Sequence, residues 1–174
     1  FSYEESFVYM LGDYVRDKEA VTASLLLTEM AAWYQSKGMT LFDALQALYE
    51  KYGYYGEKTH NLVMPGLDGL EKMAALMKGL RDAPPADIAG VAVTKRTDYA
   101  DGTITDCASG HVTASELKGS NVLRYALADG TVILVRPSGT EPKIKVYILT
   151  LGEDPKQRDE NIEKYSQWAL ALQK

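Results

Sequence analysis

Cysteine is almost missing from this chain. Cys107 is the only one in 174 residues, so no internal disulfide can form and the fold must be held by packing and hydrogen bonds alone. A lone reduced thiol fits a cytoplasmic location, and Cys107 reads as a small loop residue rather than a nucleophile. Runs of positive charge are missing too. With 19 Lys and Arg against 24 Asp and Glu the net charge is −5, and no basic run exceeds two residues. That argues against nucleic acid or any other polyanion as partner, so an anionic ligand would need a local pocket. No apolar run is long enough to cross a bilayer, and the first residues lack the pattern of a signal peptide, so no membrane partner is expected. What is present is an ordinary globular composition, long enough for one domain or two small ones, each with a core.

One polar stretch stands out: Arg136-Pro137-Ser138-Gly139-Thr140-Glu141-Pro142-Lys143-Ile144-Lys145, between two strand-like runs, Thr131 to Val135 and Ile144 to Leu149. Arg136 offers a planar fork of donors suited to two phosphate oxygens. Ser138 and Thr140 add hydroxyl donors, and Gly139 allows the backbone to bend so that amides point inward. Pro137 and Pro142 stiffen the two ends. Lys143 and Lys145 add field from the side of the strand opposite Ile144 and Val146, and Glu141 is expected to point away from any bound anion. On chemistry alone the stretch is either a phosphate cradle or a polar turn whose arginine faces solvent.

Periodicity places the other elements. A helix is expected from about Lys18 to Lys37, with Asp17 as its cap and Val21, Leu25, Leu26, Met30 and Trp33 as its apolar face. Thr40 and Asp43 open a second helix that runs to Gly53. A boundary is placed around Gly53 to Gly56. Beyond it come a strand to Met64, a helix with the stripe Leu67, Leu70, Met73, Ala74, Met77 and Leu80, and a strand from Val91. Asp98 to Gly119 reads as a long irregular loop. Asp129-Gly130 joins two strands as a hairpin, and Asp154-Pro155-Lys156-Gln157 opens a last helix. The sum is α+β, an antiparallel sheet with two helices on one face.

The order Arg-Pro-Ser-Gly-Thr-Glu-Pro-Lys resembles the C-terminal phosphate-binding loop of the phosphoglucomutase/phosphomannomutase (α-D-phosphohexomutase) family. Phe1-Ser2-Tyr3-Glu4-Glu5-Ser6 looks like that family's sugar-recognition loop, and Arg16-Asp17-Lys18-Glu19 like the charged segment ahead of a long helix in its third domain. Ser2 stands where many relatives have glycine, and Val8 where some bacterial members have histidine. The resemblance implies a division at residue 53. Residues 1–53 would be a strand-helix-helix remnant of the third domain, and residues 54–174 the fourth domain, on a TATA-box-binding-protein-like sheet. It implies that Glu4 and Ser6 bind sugar hydroxyls, that Lys18 lies near the reacting hydroxyl, with Arg16 a neighbouring charge, and that Arg136, Ser138, Gly139 and Thr140, with Lys145, hold the phosphate that is not reacting.

The same resemblance implies a parent that interconverts hexose 1-phosphate and 6-phosphate through a phosphoserine, with Mg²⁺ and a hexose 1,6-bisphosphate. No phosphoserine loop and no Asp-Gly-Asp-Gly-Asp metal loop occurs here; Asp98-Tyr99-Ala100-Asp101-Gly102 is the nearest cluster and lacks ligand spacing. The chain, which starts Phe-Ser-Tyr without methionine, is therefore expected to be an excised piece, inactive without the missing N-terminal domains. A non-catalytic phosphosugar-binding module is the other reading.

Overall fold

Alternating burial decides which way the polar stretch faces, and the sheet around it follows from that. The computed structural model describes residues 1–4, 8–14 and 17–173, excluding the side chains of Glu4 and Val8, and divides into two compact units, Phe1–Tyr52 and Gly53–Lys174.

In the first unit, β1 (Ser2–Glu4) pairs antiparallel with β2 (Val8–Met10), where a single leading strand was expected. Helix α1 spans Ala20–Gln35 and α2 Leu41–Tyr52. Glu19, rather than Asp17, caps α1, its carboxylate accepting from the amides of Val21 and Thr22 at 2.7 Å each. Asp17 is spent on the amide of Lys18, 2.8 Å away. The hydrogen bonds from Thr22, side chain and amide, and from the Val21 amide hold the Glu19 carboxyl below the usual range. Thr40 and Asp43 form the expected capping box on α2, each side chain accepting from the other's amide at 3.1 and 2.8 Å. Of the stripe expected to bury α1, Val21, Leu25, Met30 and Trp33 are exposed and Leu26 is half-buried, and no residue of that helix is buried.

The second unit holds β3 (Tyr54–Val63), α3 (Gly69–Asp82), β4 (Asp87–Ile88), β5 (Val91–Asp98), β6 (Thr103–Asp106) and β7 (Val112–Ala114). It continues with β8 (Leu123–Leu127), β9 (Val132–Pro137), β10 (Lys143–Gly152) and α4 (Pro155–Ala171). The sheet runs β3-β10-β9-β8-β5-β6-β7, with β4 beside β5 and every pairing antiparallel. This is the α+β layer that the sequence implied. Two expectations fail locally. The stretch 98–119 carries the β6–β7 hairpin rather than an irregular loop. Helix α3 starts at Gly69, so Leu67 lies outside it, Leu70 faces solvent, and its buried residues are Gly69, Met77 and Leu80.

The core lies between the sheet and the two helices. Ile144, Val146 and Ile148 of β10 and Ile133 and Val135 of β9 are fully buried, with Met77 and Leu80 from α3 and Tyr165 and Ala169 from α4 in the same cluster. Each of the Ile, Val, Leu and Met side chains contributes roughly 1.5–3 kcal/mol on burial. A slip of one residue in β10 would turn Lys143 and Lys145 into that core, so the register is firmly specified. A buried tie closes the far end: Thr131 and Thr150 share a hydroxyl hydrogen bond at 2.9 Å, and the Tyr165 hydroxyl donates to Asp129.

Candidate phosphate site

The same alternation that buries Val135, Ile144 and Val146 turns Arg136, Lys143 and Lys145 to the opposite face of the sheet. Lys145 sits directly across from Arg136, and Lys143 is two residues along on the same side. Like charges placed directly opposite on an antiparallel pair repel, and an anion between them removes that cost. The Lys145 ammonium also lies 5.9 Å from the centroid of the Tyr147 ring.

The loop 138–142 bridges the two strand ends. The Ser138 amide donates to the Lys143 carbonyl at 2.8 Å, and the Lys143 amide to the Glu141 carbonyl at 2.7 Å. The amides of Thr140 and Glu141 turn towards the Ser138 hydroxyl oxygen, at the long distances of 3.4 and 3.3 Å. Bonds that long are weakly held, so those amides can be redirected to a better acceptor at small cost. Gly139 does not take a positive φ, and nothing lies within 4 Å of where its Cβ would stand. Neither backbone conformation nor a neighbouring atom therefore requires glycine at 139.

The C-terminal end of the loop is clamped from below. The Met64 amide donates to the Pro142 carbonyl at 2.8 Å. A Cβ added at Gly69, the first residue of α3, would collide with the Met64 carbonyl oxygen and stand 3.0 Å from Pro142. The close approach of helix start, strand end and loop end therefore depends on glycine at 69.

Together these residues surround an open hollow of about 400 Å³, with Arg136, Ser138, Gly139, Thr140, Lys143 and Lys145 in its wall. Glu141 is in the wall as well, paired with Lys143 instead of pointing away as the sequence suggested. The hydrogen bond from the Lys143 ammonium holds the Glu141 carboxyl below the usual carboxylate range. Every residue expected to hold phosphate is thus found around one hollow, and Glu141 is an addition that sequence reasoning had turned outward.

Residues 70–150, a span that contains all of this loop, match the family model described as phosphoglucomutase/phosphomannomutase, C-terminal domain. A phosphoglucomutase of Staphylococcus haemolyticus (strain JCSC1435) is 34% identical over 165 residues, 95% of this chain and 30% of the relative. This chain belongs to the phosphoglucomutase/phosphomannomutase family. A phosphoglucomutase of Staphylococcus aureus (strain bovine RF122 / ET3-1) is 34% identical over 148 residues, 85% of this chain and 27% of the relative. The chain thus spans about 30% of the length of these phosphoglucomutases. The fold agrees with the open form of pp63/parafusin, a phosphoglucomutase from Paramecium, at a TM-score of 0.55 and 16% identity, over 92% of this chain and 28% of that one.

The remaining candidates of this family lie in the first unit. Glu4 ends β1, its backbone paired with Val8 of β2. Ser6 and Arg16 lie outside the described residues. Lys18 is exposed and lines a separate hollow of about 300 Å³ with Tyr9, Glu19 and Ser24. The Glu19 amide donates to the Tyr9 carbonyl at 3.0 Å, which sets the start of α1, and Lys18 with it, beside β2.

Proposed function

We propose that this chain is the substrate-holding part of a phosphohexomutase that interconverts hexose 1-phosphate and hexose 6-phosphate through a phosphoserine and a hexose 1,6-bisphosphate. In this reading the first unit is the end of the third domain of such an enzyme and the second unit its fourth domain, and the enzyme is cytoplasmic. The observation that carries the proposal is the hollow at Arg136–Lys145, whose wall brings together three cations and two hydroxyls at the ends of β9 and β10.

Arg136 grips two oxygens of the non-reacting phosphate, Ser138 and Thr140 donate hydroxyls, and Lys145 neutralises charge. Each hydrogen bond to a charged oxygen contributes about 1.5–3 kcal/mol. That binding energy, remote from the bond that changes, orients the sugar and helps close the site on it. Glu4 and Ser6 hydrogen-bond sugar hydroxyls, and Lys18 stabilises charge near the reacting hydroxyl. Among the described residues no cluster of His, Cys, Asp and Glu fits Mg²⁺, since Asp98 is held by Arg81 and Asp101 by Thr103. The phosphoryl donor and the metal belong to the remainder of the longer protein in this reading, and the 174-residue chain alone turns over no substrate.

Titration of the chain with glucose 1-phosphate, glucose 6-phosphate and inorganic phosphate, followed by the amide resonances of Arg136 to Thr140, tests the site. Local, saturating shifts are expected. Arg136→Lys keeps the charge and loses the fork, and should weaken binding about tenfold, the equivalent of one charged hydrogen bond. Shifts scattered over the surface, or unchanged binding by Arg136→Lys, would leave only diffuse charge attraction.

A further inference from the structure

The carboxylate inside an anion site is the feature the phosphate reading does not explain. Glu141 lines the hollow and pairs with Lys143, whose side chain is 26% exposed while that of Glu141 is 57% exposed. The pair joins the C-terminal part of the loop to Lys143, the first residue of β10. It adds to the backbone contact between the same two residues, in which the Lys143 amide donates to the Glu141 carbonyl at 2.7 Å. The Glu141 amide meanwhile faces the Ser138 hydroxyl oxygen at 3.3 Å. Glu141 is therefore tied by backbone to the groups that would hold a ligand, and its side chain occupies one of the cations they present.

We propose that Glu141 is a resident counter-anion of the phosphate site, one that occupies Lys143 in the free protein and competes with the incoming phosphate for it. The inference rests on the phosphate reading above and gives that site a built-in limit on affinity. Arg136, Lys143 and Lys145 against Glu141 leave the wall with a net charge of +2. A phosphate dianion matches that value, whereas without the carboxylate a third positive charge would go unmatched. A mutase that must let one phosphate go and accept the other in each cycle gains from a hold that is selective but not tight. Glu141 supplies this without disturbing Arg136 or the hydroxyls, since it acts by occupying Lys143 and by repelling the ligand's charge. Its exposure means that neither effect carries a large desolvation cost, so both are modest and depend on salt.

The test uses the 174-residue chain, inorganic phosphate and the amide resonances of Arg136 to Thr140 at low ionic strength. Glu141→Gln should bind phosphate about three- to tenfold more tightly than wild type, the range expected for removing one exposed charge at several ångströms from a dianion. Glu141→Asp, which keeps the charge, should stay near wild type. The double variant Glu141→Gln with Lys143→Gln, set against Lys143→Gln alone, should keep only the part of the gain that comes from lost repulsion, because the lysine released is no longer there. Salt should shrink the difference between Glu141→Gln and wild type. Wild-type binding with Glu141→Gln no tighter, or a gain that survives Lys143→Gln in full, overturns the counter-anion role and leaves the phosphate site standing. Absence of local shifts in every variant overturns the phosphate site itself, and this inference with it.

Discussion

The two units of this chain bury their apolar side chains to very different extents. In Gly53–Lys174, sixteen apolar residues form one buried cluster between a sheet and two helices. In Phe1–Tyr52, α1 buries nothing and α2 only Ala44, although both are rich in leucine and aromatic residues. Val21 is 76% and Trp33 57% exposed, and an apolar hollow of about 500 Å³ opens beside Leu26, Met30 and Trp33. Good helix propensity and caps are present in both units, so local signals do not separate them. What separates them is whether an amphipathic face meets a second layer, which is where most helix stability in proteins comes from.

The largest effect that follows is on the pieces themselves. Residues 53–174 alone should keep a cooperative thermal transition in circular dichroism. Residues 1–52 alone should show little helix and no cooperative melt, because two helices of 16 and 12 residues are marginal without burial. A sharp transition from 1–52 on its own would remove the contrast.

Point substitutions should reproduce it on a smaller scale. Ile144→Ala, in the fully buried row of β10, should cost about 2–5 kcal/mol in urea unfolding. Leu25→Ala, at a position 60% exposed, should cost about 0.5 kcal/mol or less. Equal losses would mean that α1 is buried in solution after all.

Next in size is a polar clasp of the second unit. Arg81 at the end of α3 grips Asp98 of β5 through two bonds, at 2.7 and 3.2 Å, and reaches Asn121 at 2.7 Å. Burial on its own would raise the Asp98 carboxyl, but the bonds from Arg81 and from the Ala100 amide hold it below the ordinary range. A depressed folded-state value means that its stabilisation is present above the unfolded value of about 3.9 and is lost as pH falls through the folded one. Asp98→Asn should therefore cost about 1–3 kcal/mol near neutral pH, and the gap to wild type should close in acid. A gap that stays constant down to pH 2 would exclude this linkage.

The second unit was also the more legible one in the sequence. Ile144, Val146 and Ile148 alternate with charged and aromatic neighbours, Asp129-Gly130 marks a turn, and Asp154 caps α4 through the Gln157 amide at 2.7 Å. All of these are short-range signals that tertiary packing reinforces. The β6–β7 hairpin was not legible, because four- and three-residue strands at a sheet edge have no buried face to impose alternation, and β7 is exposed throughout. Its turn did leave a trace: the Asp106 carboxylate accepts from the Ser109 amide at 2.8 Å, and Gly110 has a φ of 72°. The stripe of α1 misled for the opposite reason. Periodicity shows that a face is apolar and says nothing of whether a partner is there. At the loop 138–142, residue chemistry was readable, but the direction of Glu141 depends on its reach to Lys143, which only the folded strand ends define.

The smallest effect expected on stability is at Gly139, inside the second unit. Gly139 lies within the loop and Gly69 beside its end, yet only Gly69 is held to glycine by its neighbours. At Gly69 an added methyl meets the Met64 carbonyl and Pro142, so Gly69→Ala should cost about 1–3 kcal/mol as Met64, Pro142 and the helix start move apart. At Gly139 nothing stands within 4 Å and φ is not positive, so Gly139→Ala should change stability by no more than about 0.5 kcal/mol. Its methyl would instead project into the free space over the loop, where under the proposed function a phosphate comes close to the neighbouring amides. Urea unfolding and phosphate titration of the two variants separate the cases. Gly139→Ala should unfold like wild type and bind phosphate several-fold more weakly. Gly69→Ala should be destabilised, with binding reduced only as far as the clamp on Pro142 loosens. If Gly139→Ala binds as wild type does, the ligand does not approach over residue 139, and the hold must come from side chains such as Arg136 and Lys145 rather than from the loop amides.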